Sequence, residues 1–461
     1  MADLFTSLGM AARSLDAQRF ALDATGQNIA NVNTPGYTRR VVDFAAIPPT
    51  SPYSAGGGVT VQDLRSQRDV LLERRLQQET TAASREDALA DALGVAEIAL
   101  TSPGALDQRL NDFFDSFARL ADSPMSPVAR QEVALQGASL ASAVRQTYEG
   151  LAQARRDTNT RIGAGLDQIN ALASRIAAIN DSYGAASADP AGLHLADEQA
   201  QLVQQLAALA DVRVLGRPGG GVDIDTADGR PLVVGNTAYA LEGTTTGPDG
   251  MLQVTINGAD ITQEITGGEI GGLLIARDQR IPGYMTTLDE QAFELADTIN
   301  TIHAGGYDLA GNTGQAFFAF SSPIVGSTGA ARVLVVDPTI SADPGRIAAA
   351  GSALPADNQT ARALADARDA RVLDGGTATL SEGWGRLVYR VGRDVQSARQ
   401  ESAMRQEVVS QVATLRDQVS GVSLDEEAMQ MMKFQRAYEA NARFFRVIDQ
   451  TLDVLLNTVA R

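Results

Sequence analysis

Three aspartates, Asp223, Asp225 and Asp228, lie close together in a stretch that also contains glycine, and they could supply oxygen ligands to a cation. A calcium-binding loop also needs a bidentate glutamate near its end, and Val234 stands at that position. Aspartate and glycine are equally typical of tight turns between strands. The stretch therefore predicts a hairpin turn, with a weak cation site near Asp223 as the alternative.

Few other residues could do chemistry. The chain has no cysteine, which excludes thiolate catalysis, disulfide bonds and cysteine-bound metals. Its histidines, His194 and His303, form no H-E-x-x-H pair, so a zinc protease is excluded, and we expect His303 to be a surface residue near a helix C-terminus. Lys433 is the only lysine and follows no glycine-rich loop, which excludes a Walker-type phosphate site. We predict a protein that is not an enzyme and uses no cofactor and no metal.

Charge and composition narrow the class of partner. The 461 residues carry a net charge of −18, which argues against nucleic acid or an anionic membrane surface, because both attract basic patches. We find no run of about 18 apolar residues, so we expect no membrane span. The first residues lack the basic and apolar regions of a secretory signal, and any export is expected to need no cleavable signal peptide.

Two long helices are expected at the ends of the chain, because each carries apolar residues in seven-residue steps. The residues that we expect to form an assembly seam lie on these two stripes: Leu8, Leu15, Leu22 and Ile29 in the first helix, and Leu424, Met431, Phe434, Tyr438, Phe445, Ile448, Leu452 and Leu455 in the last. Helices of this length are too long for a compact core. Pairing the first helix with the last would cover both stripes, although each could also be an ordinary amphipathic helix of a bundle.

Both helices have a defined boundary. The first is expected to end in a corner whose residues favour turns: Asn28, Asn31, Thr34, Pro35, Gly36 and Tyr37. Gly421 is expected to stop the preceding helix. Ser423 then fits the N-cap of the last helix, and Glu426 fits the answering position of a capping box.

The middle of the chain predicts helices with β insertions. Helical periodicity dominates from Leu64 to about Asp211, with breaks near residues 102–104, 123–127 and 184–192. Glycine and β-branched residues then predict strands through about Gly272, including a hairpin at Asn257-Gly258. Helix is expected again from Leu273 to His303 and from Asn358 onward.

We therefore expect a mainly α fold with β insertions: paired terminal coiled-coil helices, a helical-bundle domain and small outer β domains. The expected boundaries are 1–35 plus 424–461 for a terminal-helix inner core, 36–210 plus 270–305 plus 358–423 for the helical bundle, and 211–269 plus 306–357 for the β-rich outer part.

Several of these segments resemble a known family. The segment from Asn28 to Tyr37 resembles the N-terminal motif that bacterial flagellar rod, hook and hook-associated proteins share. The C-terminal segments 420–428, 434–438 and 448–449 are more selective and resemble the hook-associated protein 1 family. Segments 271–274, 306–312 and 355–358 also resemble that family, so the resemblance spans most of the chain.

The resemblance implies a structural subunit at the hook side of the hook-filament junction, self-assembling through its terminal helices. It implies flagellar type III export from the cytoplasm to an extracellular position. The implied partners are copies of the chain in a ring or helical layer, the hook protein, the third hook-associated protein, and an export chaperone on the C-terminal helix. A distal rod or hook protein, or less favourably a non-flagellar coiled-coil scaffold, is the alternative. Many relatives carry more β material between the positions matching Tyr307 and Asn358, so we expect this chain to lack an outermost domain.

Overall fold

The structure is a computed structural model of the 461-residue chain. It describes residues 2–48, 56–101, 106–186, 190–245, 249–354 and 356–459. The break expected near residues 102–104 and the Pro355 of the family-like segment lie outside these residues. Two compact units divide the chain: unit 1 is Met1–Thr81, Ile169–Ala240 and Arg405–Arg461, and unit 2 is Ala82–Gln168 and Leu241–Met404.

Helices dominate the described residues, which confirms the expected fold class. The helices are α1 (Ala2–Ala30), α2 (Val70–Thr101), α3 (Leu106–Asp122), α4 (Pro127–Ala186), α5 (Pro190–Leu209), α6 (Gly268–Ile275), α7 (Ile281–Ala304), α8 (Ala330–Val333), α9 (Pro338–Ala342), α10 (Gln359–Asp366), α11 (Leu380–Ser420) and α12 (Leu424–Val459). A π-helical turn, Ala276–Arg280, joins α6 to α7. Helices α2, α4 and α11 each contribute residues to both units.

The strands form small antiparallel sheets. They are β1 (Arg40–Ala46), β2 (Val59–Ser66), β3 (Val212–Gly216), β4 (Val222–Thr226), β5 (Pro231–Val234), β6 (Thr237–Ala238), β7 (Leu241–Thr245), β8 (Leu252–Ile256), β9 (Ala259–Asp260), β10 (Phe318–Phe320) and β11 (Leu334–Val336). Strand β1 pairs with β2, β3 to β6 form a four-stranded meander, β7 to β9 a three-stranded one, and β10 pairs with β11.

Local chemistry explains where these elements begin and end. Helix α4 starts at Pro127, directly after Ser126, whose hydroxyl accepts the N–H of Ala129 at 3.3 Å as an N-cap does. The turn between β8 and β9 is Asn257-Gly258, and both residues have a positive φ, 50° and 78°, as a two-residue hairpin turn requires. Both boundaries agree with the sequence.

The predicted start of the second helical region at Leu64 is wrong. Strand β2 continues through Leu64 to Ser66, and α2 begins only at Val70. The reason is cross-strand pairing, because Leu64 lies opposite Val42 and Ser66 lies opposite Arg40 in the β1–β2 ladder. A partner strand overrides a short helical pattern.

In unit 1, α1 packs against α12, the β1–β2 hairpin lies on α1, and α5 contacts β2 and β3. In unit 2, α3 packs against α10, and α7 contacts α8, α10 and β10. The unit 2 core contains five buried phenylalanines with ring centroids 5.0 to 5.8 Å apart in the contacting pairs: Phe113, Phe114, Phe117, Phe317 and Phe318.

The stretch Val70–Asp122, of which residues 102–105 lie outside the described part, includes an 18-residue window that is apolar enough for a membrane span by length and composition. Half of that window is buried inside the protein, and the core helices of soluble proteins meet the same criteria.

Candidate functional site: the terminal helix pair and its corner

The two terminal helices form an antiparallel pair. Asn28 near the end of α1 contacts Glu427 near the start of α12, so the helices must run in opposite directions along their shared length. Ile448 and Leu452, about 30 Å further along α12 at 1.5 Å per residue, are also buried.

Small side chains form the buried face of α1. The residues of this face are Ala11, Ser14, Ala17, Ala21, Ala24, Thr25 and Asn28, which recur at intervals of three and four residues. The expected seam residues Leu8, Leu15, Leu22 and Ile29 lie on a neighbouring row and are only half-buried. Within one chain the small residues are therefore the buried face of α1, a helix that packs against both α12 and the β1–β2 hairpin, and the leucine row flanks that face.

On α12 the expected seam residues fall into three groups. Ile448 and Leu452 are buried, and Met431, Phe434 and Phe445 are half-buried. Leu424, Tyr438 and Leu455 are exposed. Other large apolar residues of α12 are also exposed: Met429, Met432, Phe444, Val447 and Val454. A single chain thus leaves much of the apolar surface of α12 in contact with water, which is typical of an interaction surface.

A buried amide holds the corner after α1. Asn28 is only 1% exposed, and its side chain makes four hydrogen bonds. Its Oδ1 accepts the Tyr37 hydroxyl and the Arg40 backbone N–H, each at 2.9 Å. Its Nδ2 donates to the Arg40 carbonyl oxygen and to Glu427 Oε2, also at 2.9 Å. Asn28 therefore joins α1, the corner, β1 and α12.

Glu427 is the second central residue, although it is 2% exposed and carries a carboxylate. Its Oε1 lies 2.7 Å from Arg39 Nε, and the neighbouring Glu426 places its Oε2 2.9 Å from Arg39 Nη1. The backbone N–H of Arg39 also donates to the carbonyl oxygen of Ser420, at the end of α11. One arginine thus holds both sides of the break between α11 and α12.

The residues around that break lie where the sequence places them. The Glu427 N–H donates to the carbonyl oxygen of Ser423 at 2.9 Å, the bond that an N-cap residue accepts. Helix α11 ends at Ser420, and a side chain at Gly421 would collide with the carbonyl oxygen of Asp417. The role of Glu426 in a capping box stays a prediction, since its carboxylate is seen on Arg39.

The other corner residues form a tight turn. Thr34 donates from its backbone N–H to the carbonyl oxygen of Asn31 at 2.9 Å, and Tyr37 does so to Thr34 at 3.2 Å. Gly36 has a φ of 77°, a conformation that favours glycine. Pro35 contributes its carbonyl oxygen, which accepts a hydrogen bond from Gln201 of α5. Each residue of the motif has a structural task here.

Burial and charge shape the electrostatics of the corner. Burial raises the pKa of Tyr37, with the nearby Arg40 guanidinium acting in the opposite direction. That guanidinium lies 5.2 Å from the centre of the Tyr37 ring, within cation–π distance. Tyr37 therefore stays a neutral donor to Asn28.

A second polar cluster ties the hairpin to α5. Asp197 is 5% exposed, and its Oδ1 accepts the Thr38 hydroxyl and lies next to Arg68 Nη2, each at 2.6 Å. Sequence reasoning missed Asp197, Arg39 and Arg68, and it assigned no contact to Glu427. The signal for Glu427 was available, because it falls on the same seven-residue row as Phe434 and Ile448.

The residues considered for chemistry have structural roles. Asp223 and Asp225 lie in β4, Asp223 Oδ1 accepts the Gly235 N–H at 2.8 Å, and residues 226–230 form the predicted hairpin turn into β5. Within the described residues no group of three or more His, Asp or Glu side chains is arranged to hold a metal.

The prediction that His303 is a surface residue is wrong. His303 is fully buried, its Nδ1 lies 2.5 Å from the Gln315 carbonyl oxygen, and its Nε2 accepts the Ala348 N–H at 2.9 Å. These contacts fix a neutral ring with the proton on Nδ1. Burial lowers the pKa of His303 to about 4.

Comparison with known families extends this picture. Residues 8–38 match the family described as flagella basal body rod protein, and residues 417–458 match the C-terminal family of the flagellar basal body rod proteins FlgE, FlgF and FlgG. These two matches fall on α1 with its corner and on α12, and both families are described as basal body rod proteins. Residues 97–318 match the flagellar hook-associated protein FlgK helical domain, which is selective. The chain belongs to the flagellar hook-associated protein 1 family.

Similar proteins align with nearly the whole chain. Flagellar hook-associated protein 1 of Escherichia coli (strain K12) is 27% identical over 536 residues, covering 96% of this chain and 98% of that protein. The Bacillus subtilis (strain 168) protein of the same name is 27% identical over 504 residues, covering 99% of each. Both alignments are longer than 461 residues, so the relatives contain insertions that this chain lacks.

A solved structure supports the fold. The flagellar hook junction protein FlgK from Burkholderia pseudomallei matches with a TM-score of 0.68 at 17% identity, covering 75% of this chain and 100% of that chain. Membership of the family makes this chain a structural component of the extracellular flagellum, with a part in flagellum assembly and motility.

Proposed function

We propose that this protein forms the hook side of the hook-filament junction and assembles there through its terminal helices. The observation that carries the proposal is the combination of the selective helical-domain match with a terminal helix, α12, whose apolar surface a single chain leaves exposed. Neighbouring copies in a ring or helical layer would cover that surface. The hook protein and the third hook-associated protein are the proposed neighbours at either end.

Genetic complementation tests the junction role. Cells that lack this protein should complete their hooks but release unpolymerised filament subunits into the medium. Cells that lack it and still make finished filaments would refute the proposal. Missing hooks would instead favour a rod or hook role.

Substitutions on α12 test the assembly surface. Val447 is 59% exposed, so Val447→Asp leaves the folded chain unstrained but places a charge on the proposed contact. We expect this variant to be secreted at the parent level and to fail to assemble. Gln450→Asp is the matched control, because Gln450 is exposed and already polar. Normal filaments with Val447→Asp would exclude this surface from the contact.

The leucine row of α1 is the second proposed contact. Leu15→Asp should leave export intact and abolish assembly, since Leu15 is half-exposed beside the α1–α12 contact. Arg19→Asp, at an exposed position of the same helix, is the control. Secretion and filament formation are measured in the same cells, and assembly of the Leu15 variant would contradict the role of this row.

Export and domain layout complete the proposal. The chain leaves the cytoplasm by flagellar type III export, with a chaperone on the face of α12 that contains Met431, Met432 and Phe434. Met432 is exposed and Met431 and Phe434 are half-buried, and methionines beside an aromatic ring suit a hydrophobic groove. We assign the inner assembly role to residues 1–35 and 424–461, with the helical bundle and the β-rich parts surrounding them.

A further inference from the structure

The buried face of α1 consists mostly of small residues, and small residues define one alignment of two helices less sharply than large ones do. Ala21 and Ala24 lie on this face, and Ala11 and Ser14 lie on it nearer the N-terminus of α1. If α12 moved along α1 by one heptad, its large apolar residues would again face small ones. Apolar packing against α1 alone therefore distinguishes poorly between the observed alignment and a shifted one, and the ring contact of Phe434 with Phe44 of β1, with centroids 6.1 Å apart, is the apolar contact that a shift would lose.

Glu427 distinguishes between them. In the observed alignment both of its oxygens are used, one by Asn28 Nδ2 at 2.9 Å and the other by Arg39 Nε at 2.7 Å. After a shift of one heptad it would lie level with Ala21 or beyond the end of α1. Ala21 has no side-chain donor. Either shift would remove the hydrogen bond from Asn28, and level with Ala21 the buried carboxylate would have no partner on α1, which is strongly unfavourable.

The two partners of Glu427, Asn28 and Arg39, are themselves held in place. The remaining three hydrogen bonds of Asn28 hold it to Tyr37 and to the backbone of Arg40, so its amide cannot follow a displaced α12. The Arg39 backbone is likewise held by the carbonyl oxygen of Ser420. We propose that Glu427 sets the register of α12 on α1 through its hydrogen bond with Asn28 and its ion pair with Arg39. This inference does not depend on the junction role.

Disulfide trapping in the full-length chain tests the proposal, because the protein has no cysteine of its own. Ser14 and Asn441 each lie 14 residues from the Asn28–Glu427 contact, so the antiparallel pairing places them at the same level along the two helices in the observed register. The pairs Ala21 with Asn441 and Ser7 with Asn441 are offset by one heptad, about 10 Å along the axis. That offset is beyond the reach of a disulfide bond.

With Glu427 intact, oxidation should join only Ser14→Cys with Asn441→Cys. With Glu427→Ala, we expect the yield of at least one offset pair to rise about tenfold or more while that of the native pair falls. The yield of the intrachain product is measured from its gel mobility. If a dimer band forms, its yield is compared among the three cysteine pairs in the same way. Glu427→Gln keeps an acceptor for Asn28, so a smaller share of the cross-linking should move from the native pair to an offset pair.

Glu426→Ala is the matched control. Glu426 is the adjacent carboxylate on the same arginine, but its side chain is 56% exposed. Its removal should leave cross-linking confined to the native pair. A uniform fall of all yields with Glu427→Ala or Glu427→Gln would show a role in stability alone and overturn the proposal. Unchanged yields, equal yields of the three pairs in the parent, or the same shift of cross-linking to an offset pair with Glu426→Ala would overturn it too.

Discussion

Acidification should destabilise unit 2 through His303. The ring is neutral and fully buried in the folded chain, where burial lowers the pKa of His303 from 6.5 to about 4. The unfolded chain therefore binds a proton that the folded chain does not, at every pH between these values. Stability from this group is complete above about pH 6.5 and is lost as the pH falls toward 4.

The size of the effect follows from the difference in pKa. At about 1.4 kcal/mol per pKa unit, the full loss is about 3 kcal/mol, of which about 2 kcal/mol appears between pH 7.5 and pH 5. Protonation would also cost the bond from the Ala348 N–H to Nε2. Burial raises the pKa of Asp289 in the same unit, which acts in the opposite direction as the medium becomes more acidic, so the assay stops at pH 5.

The chain offers a convenient probe. Trp384 is the only tryptophan, it is buried, and it lies in unit 2 with His303. Urea unfolding followed by its fluorescence at pH 7.5 and pH 5 gives the free energy of unfolding of that unit. His303→Asn should be less stable at pH 7.5 but should lose about 2 kcal/mol less on acidification. His194→Asn, at an exposed position, should keep the parent's pH dependence. Equal losses in the parent and in His303→Asn would refute the reasoning.

Two further predictions use the same fluorescence assay. Arg130 is 2% exposed and donates to the carbonyl oxygens of Pro124, Gly345 and Ile347, so Arg130→Met should lower the free energy of unfolding by about 3 kcal/mol by leaving these oxygens unpaired. Arg119→Met, which removes an exposed ion pair, should lower it by under about 1 kcal/mol. Similar losses for the two variants would contradict this account. Gly272→Ala should lower the free energy of unfolding by about 2 kcal/mol or more, because the new Cβ would collide with the carbonyl oxygen of Arg85. Gly385→Ala, inside a helix and with open space around it, should raise the free energy of unfolding by about 0.5 to 1 kcal/mol. An unchanged stability of Gly272→Ala would refute the collision.

The sequence predicted the terminal helices because large apolar residues repeat every seven positions in both. On α12, Ile448 and Leu452 of that pattern are buried. On α1 the same reasoning selected Leu15 and its row, which are only half-buried, while the buried positions are Ala21 and its neighbours. Alanine and serine carry little hydrophobic signal, so a face built from them is hidden from periodicity.

Buried polar residues were the second feature that could not be predicted from the sequence. His303 and Glu427 have side chains that usually face water, and a sequence contains no direct record of the partners that allow their burial. For His303 these partners, the backbone groups of Gln315 and Ala348, come from other segments of unit 2. The corner motif was easier to predict, because proline and Gly36 restrict the backbone locally.

Arginine supplies the positive charge in the corner, at Arg39, Arg40 and Arg68, and Lys433 is the only lysine in the chain. A guanidinium group does not lose its proton in any ordinary medium, whereas a lysine ammonium does so in strong alkali. These ion pairs therefore keep their positive partners in alkaline surroundings. A corner whose cations are all arginines retains them in any alkaline medium that a protein outside the cell meets.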